Sequence, residues 1–288
     1  MRFPFAALFA VFFLFLQTVL HAGAWTQKRG HFYTKFGILR FESASQYLLN
    51  RDRERLKNNG RVTDFTVYNY LEYGLFEDLT LIANIPAKRA KFSCAVENCD
   101  DVSSGLADVI FGMRYKLSEG AWIVSIQSDV KIATNYERDE KKLGNAPPLG
   151  DGQTDFDFIL LVGRSLFNYR GYINLEAGYR TREGEPVDEV PFSFEMGITL
   201  TRHYVLLGRL YGVRSISEDD NQNNFTIVDG KVQNFVGTGA LEDYVKAQAQ
   251  LIYKIHPNID LSFEVDQVLT GRNTSHATTV GFGMAFHK

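Results

Sequence analysis

Charged side chains recur at alternate positions along several segments of this 288-residue sequence. In residues 172–181, Glu176 and Arg180 alternate with the bulkier Leu175 and Tyr179. Because a strand turns successive side chains to opposite faces, each such segment has a charged face and an apolar face. If the charged faces line a barrel, they either select a permeant or pair across strands and fill the lumen. Ten residues are candidates: Arg114, Lys116, Asp129, Lys131, Glu176, Arg180, Glu195, Lys246, Glu264 and Asp266.

The two cysteines, Cys94 and Cys99, lie five positions apart in a polar stretch. In an oxidising compartment this spacing predicts a local disulfide, and a metal site would need more ligands. Acidic residues of the long connections lack EF-hand spacing, so we expect no metal site and no cofactor. They are Asp100, Asp101, Asp151, Asp155, Glu218, Asp219 and Asp220.

The first 24 residues resemble a cleaved secretory signal peptide. Arg2 is followed by an apolar run from Phe5 to Leu20, and Ala22-Gly23-Ala24 has the small-x-small form of a cleavage site. An uncleaved membrane anchor is the alternative, although the run is short for a spanning helix. We therefore expect residues 25–288 to form a single domain, in which no second apolar run of spanning length occurs.

Period-two alternation predicts twelve strands in the rest of the chain. Their predicted ranges are 30–43, 62–74, 79–92, 105–117, 121–135, 153–166, 171–183, 190–201, 204–217, 239–254, 260–271 and 276–287. The connections after even-numbered strands are short, whereas most of those after odd-numbered strands are long and polar. The long strands and alternating connections are typical of outer-membrane barrels, and a closed barrel leaves no unpaired edge in lipid.

The predicted fold is therefore an all-β, up-and-down, antiparallel transmembrane barrel of twelve strands in the bacterial outer membrane. A secreted β-sandwich or a lipocalin-like barrel also alternates, but its strands are shorter. Only about five residues, from Trp25 to Arg29, precede the predicted first strand, and these are too few for an N-terminal plug. Pro86 either interrupts the third strand as a possible lateral gate or starts a loop at that strand's outer end.

Enzymatic activity is not expected. Some outer-membrane barrels hydrolyse lipids with Ser and His at the outer rim, and here only His276 maps to that end, next to Ser275. Adjacent residues point to opposite faces and cannot by themselves form a nucleophile and base pair. The formal net charge of −3 offers no broad electrostatic surface for nucleic acid.

Several motifs resemble a known family. Glu72-Tyr73-Gly74-Leu75 with Asp78-Leu79-Thr80-Leu81, and Ser104-Gly105-Leu106-Ala107-Asp108-Val109 leading to Gly112-Met113-Arg114-Tyr115, are similar to outer-membrane barrels of the phenol-degradation MetA type and to XagA-like proteins. The family's usual second Gly of the Gly-Leu-Gly-Asp turn is Ala107 here. The resemblance implies a barrel that passes small, often aromatic or hydrophobic compounds.

The sequence as a whole predicts a monomeric outer-membrane channel for passive uptake of a small compound, in contact with outer-membrane lipid and lipopolysaccharide. A structural or adhesion protein that acts through its extracellular loops is the second hypothesis. An outer-membrane lipid hydrolase is a minor third.

Overall fold

The computed structural model describes residues 23–97, 99–136, 145–168, 170–184, 187–216, 226–228, 231–233 and 241–288. Within these residues, no helix is both long and apolar enough to cross a membrane. Residues 1–22, which carry most of the predicted signal peptide, lie outside the described part, so its cleavage stays a prediction.

The described chain is almost entirely β-structure. Its strands are β1 (Phe32–Tyr47), β2 (Arg53–Arg55), β3 (Arg61–Phe76), β4 (Leu79–Ser93), β5 (Asp101–Leu106), β6 (Val109–Ser118), β7 (Ile123–Ile132), β8 (Asp155–Leu166), β9 (Gly171–Arg182), β10 (Glu189–Thr199), β11 (Tyr204–Ser215), β12 (Thr226–Val228), β13 (Lys231–Gln233), β14 (Asp243–His256), β15 (Ile259–Arg272) and β16 (Thr274–His287).

The long strands form one closed antiparallel ring, in the order β1, β3, β4, β6, β7, β8, β9, β10, β11, β14, β15 and β16. Closure is direct, because β1 pairs with β3 along one edge and with β16 along the other, from Tyr33 opposite His287 to Tyr47 opposite Thr274. The predicted twelve-stranded barrel is thus confirmed. We call the end with the short connections the inner end, and the end with the long connections the outer end.

The exterior of the barrel is apolar over most of its height. Phe158, Leu160 and Phe282 each expose about half of their surface, at 58%, 49% and 55%. Their neighbours on the same strands, such as Leu161 at 2%, point into the barrel. An exposed apolar surface of this extent is unusual for a soluble protein and is expected where lipid covers the wall.

The prediction of a single strand for residues 105–117 was wrong, because this part of the wall is divided into two strands, β5 and β6. The ladder between β4 and β6 ends at Asn84 opposite Ile110, and the ladder between β4 and β5 begins at Ala87 opposite Leu106. Between them, Ala107 is buried and its N–H donates to the Pro86 carbonyl at 3.0 Å. Proline has no N–H to return, so the regular ladder cannot continue through this point.

Cys94 and Cys99 form the predicted disulfide, with their Cα atoms 5.9 Å apart. The bond closes the connection between β4 and β5 at the outer end. It therefore lies outside the apolar belt.

Candidate functional site

Nine of the ten predicted lumen residues lie within polar contacts inside the barrel, and the tenth, Lys116, lies at its inner mouth. Lys116 contacts Asp78 at 3.0 Å and Glu119 at 2.6 Å beside two short turns. The prediction that the charged faces point inward is thus consistent with the structure, while a role in permeation stays a prediction.

Near the outer end, ion pairs join residues of β7, β8, β9 and β10. We call this group the outer cluster: Asp108, Lys131, Asp151, Asp155, Arg182 and Glu189. The Lys131 ammonium lies 2.6 Å from both Asp151 and Asp155. Arg182 contacts Asp155 at 3.6 Å and Glu189 at 2.8 Å. The group contains more carboxylates than cations, so its net charge is negative.

Arg180 extends this network toward the middle of the barrel. Its guanidinium binds Asp157 through two hydrogen bonds of 2.7 and 2.9 Å, and it also contacts Glu189 at 3.0 Å. Two-point binding of a carboxylate fixes the orientation of both groups. Asp129, another predicted residue, accepts a bond of 2.7 Å from the Gln127 amide on the same strand.

Tyrosines and amides hold the charges on the opposite wall. The Lys246 ammonium lies 4.3 Å from the centre of the Tyr244 ring, a cation–π contact. Asp266 accepts from the Tyr211 hydroxyl at 2.7 Å. Glu264 pairs with Lys35 at 3.0 Å and is only 5% exposed.

Further polar contacts fill the lumen toward the inner end. Arg114 and Glu72 are 3.1 Å apart, and their side chains are 5% and 4% exposed. Arg114 also donates to the Gln127 side chain at 2.9 Å. On the facing wall, Glu195 accepts from Tyr172 at 2.6 Å, and Glu176 contacts Arg209 at 3.2 Å.

The N-terminal segment, Gly23–Gly30, crosses the lumen at this level, and its first two residues belong to the predicted signal peptide. The prediction that too few residues precede β1 to form a plug was wrong. The Gln27 N–H donates to Thr80 at 2.7 Å on one side. On the other side, the Ala24 N–H donates to Asn174 at 2.9 Å, and the Ala24 carbonyl accepts from Ser125 at 2.5 Å. Eight extended residues reach about 27 Å, which is enough to span a narrow barrel.

Trp25 anchors this segment in an apolar core formed with Ala24, Leu161, Tyr172 and Leu207. The Trp25 and Tyr172 rings meet edge to face, with centroids 5.7 Å apart. The wall is shaped to receive the segment. A Cβ at Gly163 would lie 2.6 Å from the Trp25 ring, and one at Gly74 would lie 2.0 Å from the Lys28 carbonyl oxygen.

Within the described residues, the strand ladder of the outer half is interrupted between β5 and β7, and we call this place the wall gap. The described strand pairings join β5 to β4 only, whereas β7 pairs with β6 from Ile132 onward. A cavity of about 530 Å³ lies at the free edge of β5. Its lining comprises Asp101, Val102, Ser103, Ser104, Gly105, Leu106, Thr134, Asn135, Tyr136, Ala146 and Leu149.

Pro86 lies beside this gap, in the middle of β4 and opposite Tyr68. The alternative in which Pro86 starts a loop at the strand's outer end was therefore wrong. Leu149 folds against the inner surface here and packs with Ala90 and Ala107. The segment is held to the wall through the Ser103 hydroxyl, which donates to the Pro147 carbonyl, and through Thr134, which donates to the Leu106 carbonyl at 2.7 Å.

Several carboxyl groups of the outer loops have shifted pKa values, and those of Glu242 and Asp151 are shifted in opposite directions. Burial raises the pKa of Glu242 to about 7. The negative charges of Asp151 and Glu189 raise it further, whereas a hydrogen bond from Thr274 and the positive charge of Lys246 lower it. Burial also acts to raise the pKa of Asp151, but Lys131 and Arg182 outweigh it and lower that pKa. The pKa of Glu242 therefore lies near neutral pH, whereas that of Asp151 lies below the usual range of an aspartate.

Alternation failed to identify several buried lumen residues. Glu72 and Arg209 lie in segments 64–74 and 204–214, where small and aromatic residues obscure the period-two pattern. Arg182 and Glu189 lie at strand ends, where a charged residue reads as part of a loop. They are recognised as lumen residues only from their contacts with residues of other strands in the closed barrel.

The His276 ring contacts the Gln267 amide at 3.5 Å and the Tyr47 ring at 5.5 Å between centroids, and neither contact supplies a nucleophile. Ser275 and His276 are successive residues of β16, and the His276 carbonyl accepts from Ser43 at 2.9 Å. Within the described residues, no group of three or more His, Cys, Asp or Glu side chains could hold a metal ion. Of the loop acids, Glu218, Asp219 and Asp220 lie outside the described residues.

Comparison with solved structures supports the fold. The COG4313 outer membrane channel from Pseudomonas putida F1 matches with a TM-score of 0.69 and 13% identity, over 92% of this chain and 98% of that one. The NanC porin matches less well, with a TM-score of 0.49 and 8% identity over 88% of this chain and 98% of that chain. The KdgM porin has a TM-score of 0.47 and 8% identity over the same shares.

No protein-family model matches the chain, and no curated protein matches its sequence. The closed ring, its apolar exterior and the barrel likeness identify an outer-membrane β-barrel of the bacterial type.

Proposed function

We propose that this monomeric barrel is a passive channel for a small, hydrophobic or aromatic compound, as the resemblance to MetA-type and XagA-like barrels implies. The observation that carries the proposal is the wall gap with its cavity of about 530 Å³. Pockets of this size accommodate small organic molecules. The fold likeness to an outer membrane channel supports the channel class and does not bear on the compound.

The contents of the lumen favour a route through the wall over a straight axial route. A solute entering from outside meets the outer cluster first and the N-terminal segment below it. An apolar solute would have to displace paired charges to follow the axis, which is costly. The wall gap lies above the N-terminal segment, so a solute that leaves through it avoids the Trp25 core.

A cavity-filling variant tests this route. Gly105 lies on β5, and a Cβ there would lie 3.1 Å from Leu149. Gly105→Phe therefore places a ring in the cavity, and we expect uptake of toluene at limiting concentration to fall severalfold in cells that express it. Ion conductance of the purified barrel should stay unchanged, because the axis is untouched.

Gly208→Phe is the matched control, because a Cβ at Gly208 meets nothing within 4 Å. Toluene uptake should match that of the wild type in this variant. Equal uptake by wild type and Gly105→Phe, with both barrels folded by heat-dependent gel shift, would contradict a route through the wall gap.

The loop-binding hypothesis is supported by a different observation, namely that the lumen is filled by ion pairs and by the N-terminal segment. A barrel that carries no solute would need no passage. Wild-type toluene uptake equal to that of cells lacking the protein would favour this second function.

A further inference from the structure

Four cations point outward from the wall at the outer end of three neighbouring strands. We call Arg40 of β1, Arg61 of β3, and Arg89 and Lys91 of β4 the rim patch. All four are exposed. The alternation of each strand turns them toward the surrounding membrane, whereas Lys88, the neighbour of Arg89, points inward and pairs with Asp64 at 3.3 Å.

The strand register brings the four together. Arg40 lies opposite Phe65, and Phe65 lies opposite Arg89, so the two arginines are two strand spacings apart, or about 10 Å. Lys91 is two residues beyond Arg89 on β4, about 7 Å along the strand. Long flexible side chains anchored at these distances can reach one multivalent anion.

The rim patch has more positive charge than its neighbours balance. Glu42 contacts Arg61, and it lies 3.8 Å from Arg40. Asp100 contacts Lys91 at 2.7 Å. Arg89 has no acidic partner within the described residues. Four cations and two carboxylates leave two positive charges on a surface that faces the membrane boundary.

Directly below the rim patch, toward the inner end, the wall is apolar. Phe36, Ile38, Val67 and Ile85 are exposed by 54%, 43%, 42% and 42%, and Phe65, which is 51% exposed, lies between Arg40 and Arg89. Elsewhere, strands β6 to β16 bring one further outward-facing cation to the outer end in their described residues, Arg214. Among the described side chains, the combination of clustered cations above an apolar face therefore occurs on β1, β3 and β4.

We propose that the rim patch binds the phosphates of lipid A, the phosphorylated glycolipid of the outer leaflet, while its acyl chains lie along the apolar face below. Arginine and lysine bind phosphate through charge-assisted hydrogen bonds, and the arginine fork does so at two points. Phospholipid headgroups and free phosphate share the charge but lack the two phosphates on one rigid diglucosamine and its several acyl chains.

Native mass spectrometry of the purified barrel with bis-phosphorylated lipid A tests the proposal. In Arg40→Gln/Arg89→Gln, the dissociation constant should rise about tenfold or more, since each lost charge-assisted bond weakens binding. The control Arg164→Gln/Arg214→Gln removes two outward-facing charges elsewhere and should change it less than about twofold. A heat-dependent gel shift confirms that every variant is folded.

Further probes separate the sources of binding. Dephosphorylated lipid A should bind the wild type about as weakly as lipid A binds the rim variant, and phosphatidylglycerol should show no preference for the wild type. Equal losses in the rim and control variants would overturn the proposal, because they would show a general charge effect. Equal affinity of the wild type for lipid A and phosphatidylglycerol, or displacement of lipid A by inorganic phosphate, would also overturn it.

Discussion

The inner and outer halves of the lumen are filled in different ways. At the inner end, the chain itself fills the space, with Trp25 in an apolar core and the Arg114–Glu72 pair almost fully buried. At the outer end, a network of ion pairs such as Lys131–Asp151 and Arg182–Glu189 fills it, and in the described residues the strand ladder is interrupted between β5 and β7. We therefore expect the N-terminal segment to be the main barrier to axial passage at the inner end, and the paired charges to oppose the passage of an apolar solute at the outer end.

Among the variants considered, Trp25→Ala should have the largest effect, because it removes the side chain that anchors the N-terminal segment. Removing a buried Trp side chain costs about 3 to 5 kcal/mol, so the population with a displaced N-terminal segment should rise by a factor of 100 or more, roughly. Single-channel conductance should rise accordingly. Trp122→Ala is the control, because Trp122 is 41% exposed on the exterior. Unchanged steps in a folded Trp25→Ala barrel would show that the segment is not the barrier.

Stability should also differ between buried and exposed pairs. Arg114→Met leaves the Glu72 carboxylate buried without its cation, which typically costs about 3 to 5 kcal/mol. Lys116→Met, two residues further along the same strand, breaks contacts with Asp78 and Glu119, whose side chains are 51% and 66% exposed. That loss should be about 1 kcal/mol or less. Urea unfolding of both variants measures the difference, and equal losses would contradict the contrast.

A smaller effect is expected from titration at the outer end. Because burial raises the pKa of Glu242 to about 7, its protonated form is favoured in the folded barrel. That stabilisation is complete below the ordinary pKa of a glutamate and is lost as the pH rises through 7. At pH 8, the free energy of unfolding of Glu242→Gln should thus exceed that of the wild type by on the order of 1 kcal/mol. At pH 4, the two proteins should unfold at the same urea concentration.

Asp100→Asn serves as the control for this pH dependence. A hydrogen bond from Lys91 lowers the pKa of Asp100, so its removal should give no gain at pH 8. A Glu242→Gln barrel with the same stability difference from the wild type at both pH values would show that Glu242 does not titrate in this range.

The apolar and polar faces of the wall could be predicted well from the sequence. Glu176 and Arg180 were placed inside by alternation alone, and they lie there beside Arg209 and Asp157. The disulfide between Cys94 and Cys99 was predicted from spacing and compartment, and it is formed. These features depend on neighbouring residues of one strand or one loop, which a local pattern describes completely.

The interruption between β5 and β6 and the position of the N-terminal segment could not be predicted in the same way. Residues 105–117 alternate without a visible interruption, and only the pairing of Ala107 with Pro86 on the adjacent strand divides them. The sequence counts few residues before β1, but the count does not reveal that glycines at 74 and 163 leave room for them inside the barrel.

The sequence by itself therefore determined that this chain forms twelve long strands with apolar outer faces, because apolar and polar side chains alternate within each strand. Only the tertiary structure decided which charges meet, where the wall opens and what closes the inner end. Those outcomes depend on contacts between distant positions, such as Ala24 with Asn174, which are 150 residues apart. Closure of the ring creates such contacts, and no local pattern contains them.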